Sequence, residues 1–159
     1  MIVEGNSLGR AHTWESPRGR LVISEPTAGV IVFTYDGHMT ADVVPFIETT
    51  VDRVLAEGLR PDLFIDLERL TSYDSAYRKA VSSWGARLHR RFGEVRVFVR
   101  SRLVAMGIAV SNLTASNKLK PTTNRAQFQA ALDESIRQHS LRPAAPNASA
   151  EAPRSEGSA

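Results

Sequence analysis

Asp74 and Ser75 are the residues whose types and position offer the clearest chemistry in this chain. They stand where an apolar run, Leu63-Phe64-Ile65, has given way to a polar stretch and an amphipathic segment begins. Asp and Ser side chains at a helix start accept hydrogen bonds from N–H groups that have no intrahelical partner. A serine there can also carry a phosphate, which the positive end of the helix favours. Arg78 follows one turn later as a ready cation, and Tyr73 and Tyr77 flank the pair. The candidate partner- or ligand-binding set is therefore Tyr73, Asp74, Ser75, Tyr77 and Arg78, with Ser75 as a candidate for regulatory phosphorylation. Each residue also has a plainer reading. Asp74-Ser75 can simply cap the helix, and Tyr77 shares a helical stripe with Val81 and Trp84 that suits a core, where the Trp84 indole N–H needs a partner.

Other chemistry finds less support. The four histidines, His12, His38, His89 and His139, are scattered and form no metal-ligand spacing. There is no cysteine, hence no disulfide and no thiolate nucleophile. No nucleophile elbow, phosphate-binding loop or dinucleotide fingerprint occurs. Asp36, Asp66 and Asp74 fall where strands end and could converge on a cation. Without histidine support the expectation is no catalytic residue, no metal, no cofactor and no enzyme activity. The run from Arg87 to Arg91, with Arg96, Arg100 and Arg102, would give nucleic acid only non-specific affinity, and its aromatic content is thin. No nucleic-acid partner is expected.

The charge of +3 hides a division. Residues 21–74 hold ten acids and three bases, a net −7, whereas residues 75–102 hold eight bases and one acid, a net +7. Such a division gives a polar molecule with one basic side, fit for an anion or an acidic partner. The apolar fraction of 42% and charged fraction of 23% are those of an ordinary globular domain. No segment has the length and apolarity of a membrane span, so a cytoplasmic protein is expected.

The elements that must position the candidates read as follows. Residues 1–20 lack a clear period and suggest a flexible arm, docked in part through Trp14. Leu21–Ser24 and Val30–Phe33, joined by Pro26-Thr27-Ala28-Gly29, predict an antiparallel hairpin. Asp36-Gly37 then reads as a strand break. Thr40 is a candidate N-cap for a helix running to about Glu57, with Pro45 in its first turn and Gly58 just past its end. Leu63–Ile65 predicts a buried central strand, Thr71–Asp74 a loop, and Ser75–Phe92 a second helix closed by Gly93. Val95–Val99 is a strand, and 102–113 a helix apolar over much of its surface. A minimal edge strand within 117–122 and a helix capped by Asn124 and Gln127 and running to about Gln138 complete the domain, 21–138. From His139 to Ala159 the Ala/Pro/Ser/Glu composition predicts a disordered tail. The alternation predicts an α/β fold with a mostly parallel or mixed sheet of four to five strands, covered by about four helices.

Over roughly 21–138 this order resembles the STAS domain of the anti-sigma-factor antagonists. The likeness is specific in Leu63-Phe64-Ile65-Asp66-Leu67 followed by Tyr73-Asp74-Ser75. There the family has an apolar strand, Asp-Leu, and Asp-Ser at a helix start, with the serine as its phosphorylated residue. Ala76 and Tyr77 stand where the family has a small hydroxyl residue and glycine. The stretch Ser101–Met106, with the Trp84 helix before it, is more similar to the divergent SpoIIAA-like, or STAS/SEC14-like, branch. The resemblance implies a regulatory domain that binds a protein partner, such as an anti-sigma-factor-like kinase, through the Asp74-Ser75 loop. The alternative it implies is a lipid or small apolar ligand held near Tyr73, Tyr77 and Met106.

Overall fold

The computed structural model describes residues 9–100 and 119–142. Six strands form one mixed sheet in sequence order: β1 Arg10–Ser16, β2 Gly19–Thr27, β3 Val30–Met39, β4 Asp62–Tyr73, β5 Val95–Phe98 and β6 Leu119–Thr122. The first two pairings are antiparallel and the remaining three parallel. Helices α1 Val44–Ala56 and α2 Ser75–Leu88 lie between successive parallel strands, and α3 Arg125–Ser140 follows β6. The expected helix at 102–113, and with it Met106, lies outside the described residues, as does the tail beyond Arg142.

Strand periodicity divides the core into two layers. On one face Leu21, Ile23, Ile31, Phe33, Tyr35 and Leu63 pack with Val43, Ile47, Val51, Val54, Tyr77 and Trp84 of the α1–α2 side. On the other, Val30, Phe64 and Phe98 receive Phe128, Leu132 and Ile136 of α3. Burial on both faces is what the unbroken run Leu63-Phe64-Ile65 dictates for a central parallel strand.

The flexible arm expected over residues 1–20 is corrected from Arg10 onward. Arg10–Ser16 is the first strand, in unbroken register with β2 from Arg10↔Glu25 to Ser16↔Gly19. The Pro17-Arg18 turn and Gly19 return the chain, and alternation puts Trp14 against the core. The sheet accordingly has six strands rather than four or five.

Asp36-Gly37 does not break β3. Gly37 adopts φ +79° and the strand continues to Met39. A Cβ at Gly37 would collide with the Arg18 carbonyl, and one at Gly19 with the His38 carbonyl. Glycine at both positions lets the β1–β2 turn lie directly on β3.

Helix boundaries shift in detail. Thr40 supplies no side-chain cap, and a 3-10 turn, Ala41–Val43, leads into α1 with Pro45 at its start. Helix α2 gives way to a 3-10 turn at His89–Arg91 rather than running to Phe92. Asn124 Oδ1 accepts the Gln127 N–H at 3.1 Å, as the capping pair predicts. His139 belongs to α3 and not to a tail. Its Nε2 lies 3.1 Å from Asp62 Oδ2, which also accepts the Ser135 hydroxyl at 2.7 Å.

Candidate functional site

The candidate residues stand on a projecting ribbon. β4 is twelve residues long, but its pairing with β5 ends at Asp66↔Phe98. Beyond that point, among the described residues, β4 pairs only with β3, out to His38↔Ser72 and Met39↔Tyr73. The expected loop at Thr71–Asp74 is therefore strand as far as Tyr73, and the turn into α2 is a single residue, Asp74. The reason is lateral support. His38 Nδ1 lies 2.7 Å from the Ser72 hydroxyl, and the Asp74 N–H donates to the Met39 carbonyl at 3.1 Å.

Asp74 is the helix cap. Its extended backbone, with φ −83° and ψ 164°, points Oδ1 at the Tyr77 N–H, 2.7 Å away. Ser75 is then the first helical residue, exposed to solvent. Among the described residues neither the Ser75 hydroxyl nor the exposed Arg78 guanidinium has a side-chain partner. Two roles that sequence reasoning left entangled are thus separated, with the capping assigned to Asp74 alone.

The tyrosines differ in kind. Tyr73 is 50% exposed, while Tyr77 is 7% exposed and packs in the α1–α2 layer. Their rings meet at 6.0 Å between centroids. Beneath them Tyr35 is buried in the same layer as Tyr77, and the two hydroxyls perturb each other's ionisation. Burial is the main cause of the raised hydroxyl pKa values, pushing Tyr77 to about 12 and Tyr35 well above its ordinary 10.0. A pKa raised on folding gives stability that is complete below the unfolded value and lost as pH rises through the folded one. The melting temperature should therefore fall as pH rises from about 10 toward 12, as tyrosinate forms. The Tyr35→Phe/Tyr77→Phe double variant should show a shallower fall, measured by thermal melts across that range. Equal slopes would mean that other groups govern alkaline unfolding.

Trp84 is buried, but the partner expected for its indole is missing. Among the described residues Trp84 Nε1 has no hydrogen-bond acceptor, its ring lying instead against Phe92 at 5.9 Å.

The three aspartates do not converge. Asp36 pairs with Arg69 at 2.9 Å, Asp74 caps α2, and Asp66 accepts Arg125 at 2.7 Å and 3.2 Å. Among the described residues no group of three His, Asp or Glu is arranged to hold a metal. No helix among them is long and apolar enough to cross a membrane.

The basic region is partly tied down. Arg87 reaches Glu48 at 2.9 Å, Arg91 donates to the Leu55 carbonyl, and Arg96 grips Glu94 through two nitrogens. Arg78 and Lys79 on α2 and Arg90 in the 3-10 turn after it remain as exposed cations. A shallow, open hollow of about 300 Å³ lies elsewhere, between the β1–β2 turn and β3. It is rimmed by Glu15, Arg18, Arg20 and Asp36.

Among the described residues the framework is a mixed sheet with a parallel half, two helices on one face and one on the other, and Asp-Ser at the exposed start of α2. At the level of sequence, no family model and no curated protein matches the chain. Solved structures do match in fold. One is an uncharacterised protein of the DUF3478 family with a SpoIIAA-like fold from Shewanella loihica PV-4. It is 14% identical, with a TM-score of 0.56 over 82% of this chain and 99% of that one. Another is the anti-sigma factor antagonist SpoIIAA in its unphosphorylated form, 14% identical, with a TM-score of 0.52 over 70% of this chain and 96% of that one. The Bacillus cell fate determinant SpoIIAA in its phosphorylated form gives 16% identity and a TM-score of 0.52, over 70% and 98%. The chain has a SpoIIAA-like fold.

Proposed function

We propose that this protein is a regulatory binding domain whose partner, a protein, docks on Tyr73, Ser75 and Arg78 at the start of α2. The carrying observation is that Ser75 is exposed and unused while its neighbour Asp74 does the capping. A hydroxyl with no structural duty can be modified without loss of the fold. Half-exposed Tyr73 offers the large, stiff contact area that anchors protein interfaces. Solved structures of the same fold include an anti-sigma factor antagonist, and one bearing the SpoIIAA name is in phosphorylated form. By that likeness the partner would be an anti-sigma-factor-like kinase, and phosphate on Ser75 would be the switch. A phosphate there adds close to two negative charges beside Asp74 and within reach of Arg78.

Three tagged forms of the full chain test this: wild type, Ser75→Ala and Ser75→Asp. All three should melt within about 1 °C of each other, since no hydrogen bond is removed and an acidic residue suits the first helical turn. A partner recovered by affinity purification should stay with wild type and Ser75→Ala and be lost from Ser75→Asp. Intact mass of the eluted wild type reports any phosphate. Equal recovery by all three forms would refute the switch. A co-purifying lipid in an organic extract, with no protein partner, would favour the apolar-ligand alternative instead.

A further inference from the structure

The two outer strands of the sheet are not equivalent. β6 is four residues long and contains Lys120 and Pro121, both of which discourage a further strand. β1 carries no such device. It spans seven residues, contains neither proline nor lysine, and runs without a bulge. Among the described residues it has one neighbour, β2, so the backbone groups on its other side stand open. Its two charges are already engaged within the chain, Arg10 with Glu57 at 3.5 Å and Glu15 with Arg20 at 3.2 Å. Neither is left to repel an incoming strand.

We propose that β1 is a self-association edge, pairing antiparallel with β1 of a second copy to make a continuous twelve-stranded sheet about a two-fold axis at Thr13. Symmetry selects the register. A two-fold axis through the sheet places residues of the same face opposite one another, and only a centre at Thr13, the middle residue, engages all seven. That centre sets Thr13 opposite Thr13, Ala11 opposite Glu15, His12 opposite Trp14 and Arg10 opposite Ser16. Threonine pairs and aromatic pairs are favourable cross-strand neighbours, and no like charges meet. His12 and Trp14 lie on the face that carries α1, since they pair with the core residues Ile23 and Leu21. His12 Nε2 is buried there with no hydrogen-bond partner among the described residues. A second copy would bring its Trp14 ring against that imidazole. The self-matching order of β1 is what favours a copy of this chain over an unrelated extended peptide, and it does so independently of the Ser75 site.

Sedimentation equilibrium of the full chain, from low to high micromolar, gives the test. The wild-type mass should rise toward twice the 17.5 kDa of one chain. Thr13→Lys places two like charges opposite each other and should weaken the dimer by about tenfold or more. Thr13→Glu should do the same, and an equimolar mixture of the two variants should recover the doubled mass. Ala11→Lys adds the same charge to the same edge but faces Glu15 of the second copy, so it should leave the dimer intact. Thr13 and Ala11 are both exposed, and at a concentration where the wild type is monomeric all variants should share its melting temperature. A wild type that stays at the mass of one chain overturns the proposal. So does a doubled mass unaffected by Thr13→Lys, a mixture that fails to reassociate, or equal loss on Ala11→Lys.

Discussion

Phe64→Ala should destabilise the protein by about 3–5 kcal/mol, the range for removing a fully buried aromatic ring from a core that closes only partly over the space. Phe64 is 0% exposed on the central strand β4, with β3 on one side and β5 on the other. Its ring meets Phe128 of α3 edge-on at 5.8 Å, in a small layer completed by Val30 and Phe98. That layer has four buried residues, so one ring is a large share of what holds α3 to the sheet. For a domain of this size the loss corresponds to a fall in melting temperature of roughly 10 °C or more. Phe64→Leu, which keeps most of the volume, should cost less than half as much. Hydrogen exchange should accelerate first in α3, because α1 and α2 pack on the opposite face. A loss under about 1 kcal/mol, or exchange that rises first in α2, would contradict the two-layer assignment.

The run Leu63-Phe64-Ile65 made this centre legible in the sequence, because a strand covered on both faces has no polar alternation to hide it. The β2–β3 hairpin and the strand at 95 were legible for a related reason, β-branched content between turn residues. Strand β1 was not. Arg10-Ala11-His12-Thr13-Trp14-Glu15-Ser16 has one large apolar side chain, and an edge strand needs little more when its partner supplies the core contacts. The Pro17-Arg18-Gly19 turn was the signal that could have shown it. At the site, Asp74-Ser75 was readable as a helix start, but the division of labour was not. Both residue types cap well, and only the backbone angles at Asp74 decide which one does. Tyr35 beneath Tyr77 and His38 beside Ser72 depended on the β3–β4 register, which carries two irregularities and so could not be counted from the chain.

Nothing in the sequence singles out Arg125, yet its removal is the second large effect to expect. The expected helix accounted for its place, while its contacts lie 59 residues away at Asp66 and 57 away at Glu68. Asp66 and Glu68 lie two apart on β4, so they point to one face, and the guanidinium bonds to both. It also lies 3.9 Å from the centre of the Phe98 ring. The hydrogen bond to Asp66 is the main reason the Arg125 pKa is raised. Arg125→Leu would leave two carboxylates side by side, with Asp66 only 17% exposed and no counter-ion. Loss of a fully buried partner costs about 3–5 kcal/mol, but Arg125 is 41% exposed and water screens the remainder, so about 2 kcal/mol is expected. The test is a cycle of variants followed by urea denaturation. Asp66→Asn with Glu68→Gln should destabilise the wild type but recover most of the stability in the Arg125→Leu background, since the unpaired charges are then gone. Additive losses would show that Arg125 acts through packing on Phe98 rather than through charge. The ion pair also joins α3 to the part of β4 that runs on toward Tyr73, so a real coupling should quicken hydrogen exchange at Leu67–Tyr73 in Arg125→Leu. Unchanged exchange there would confine the role of Arg125 to holding α3.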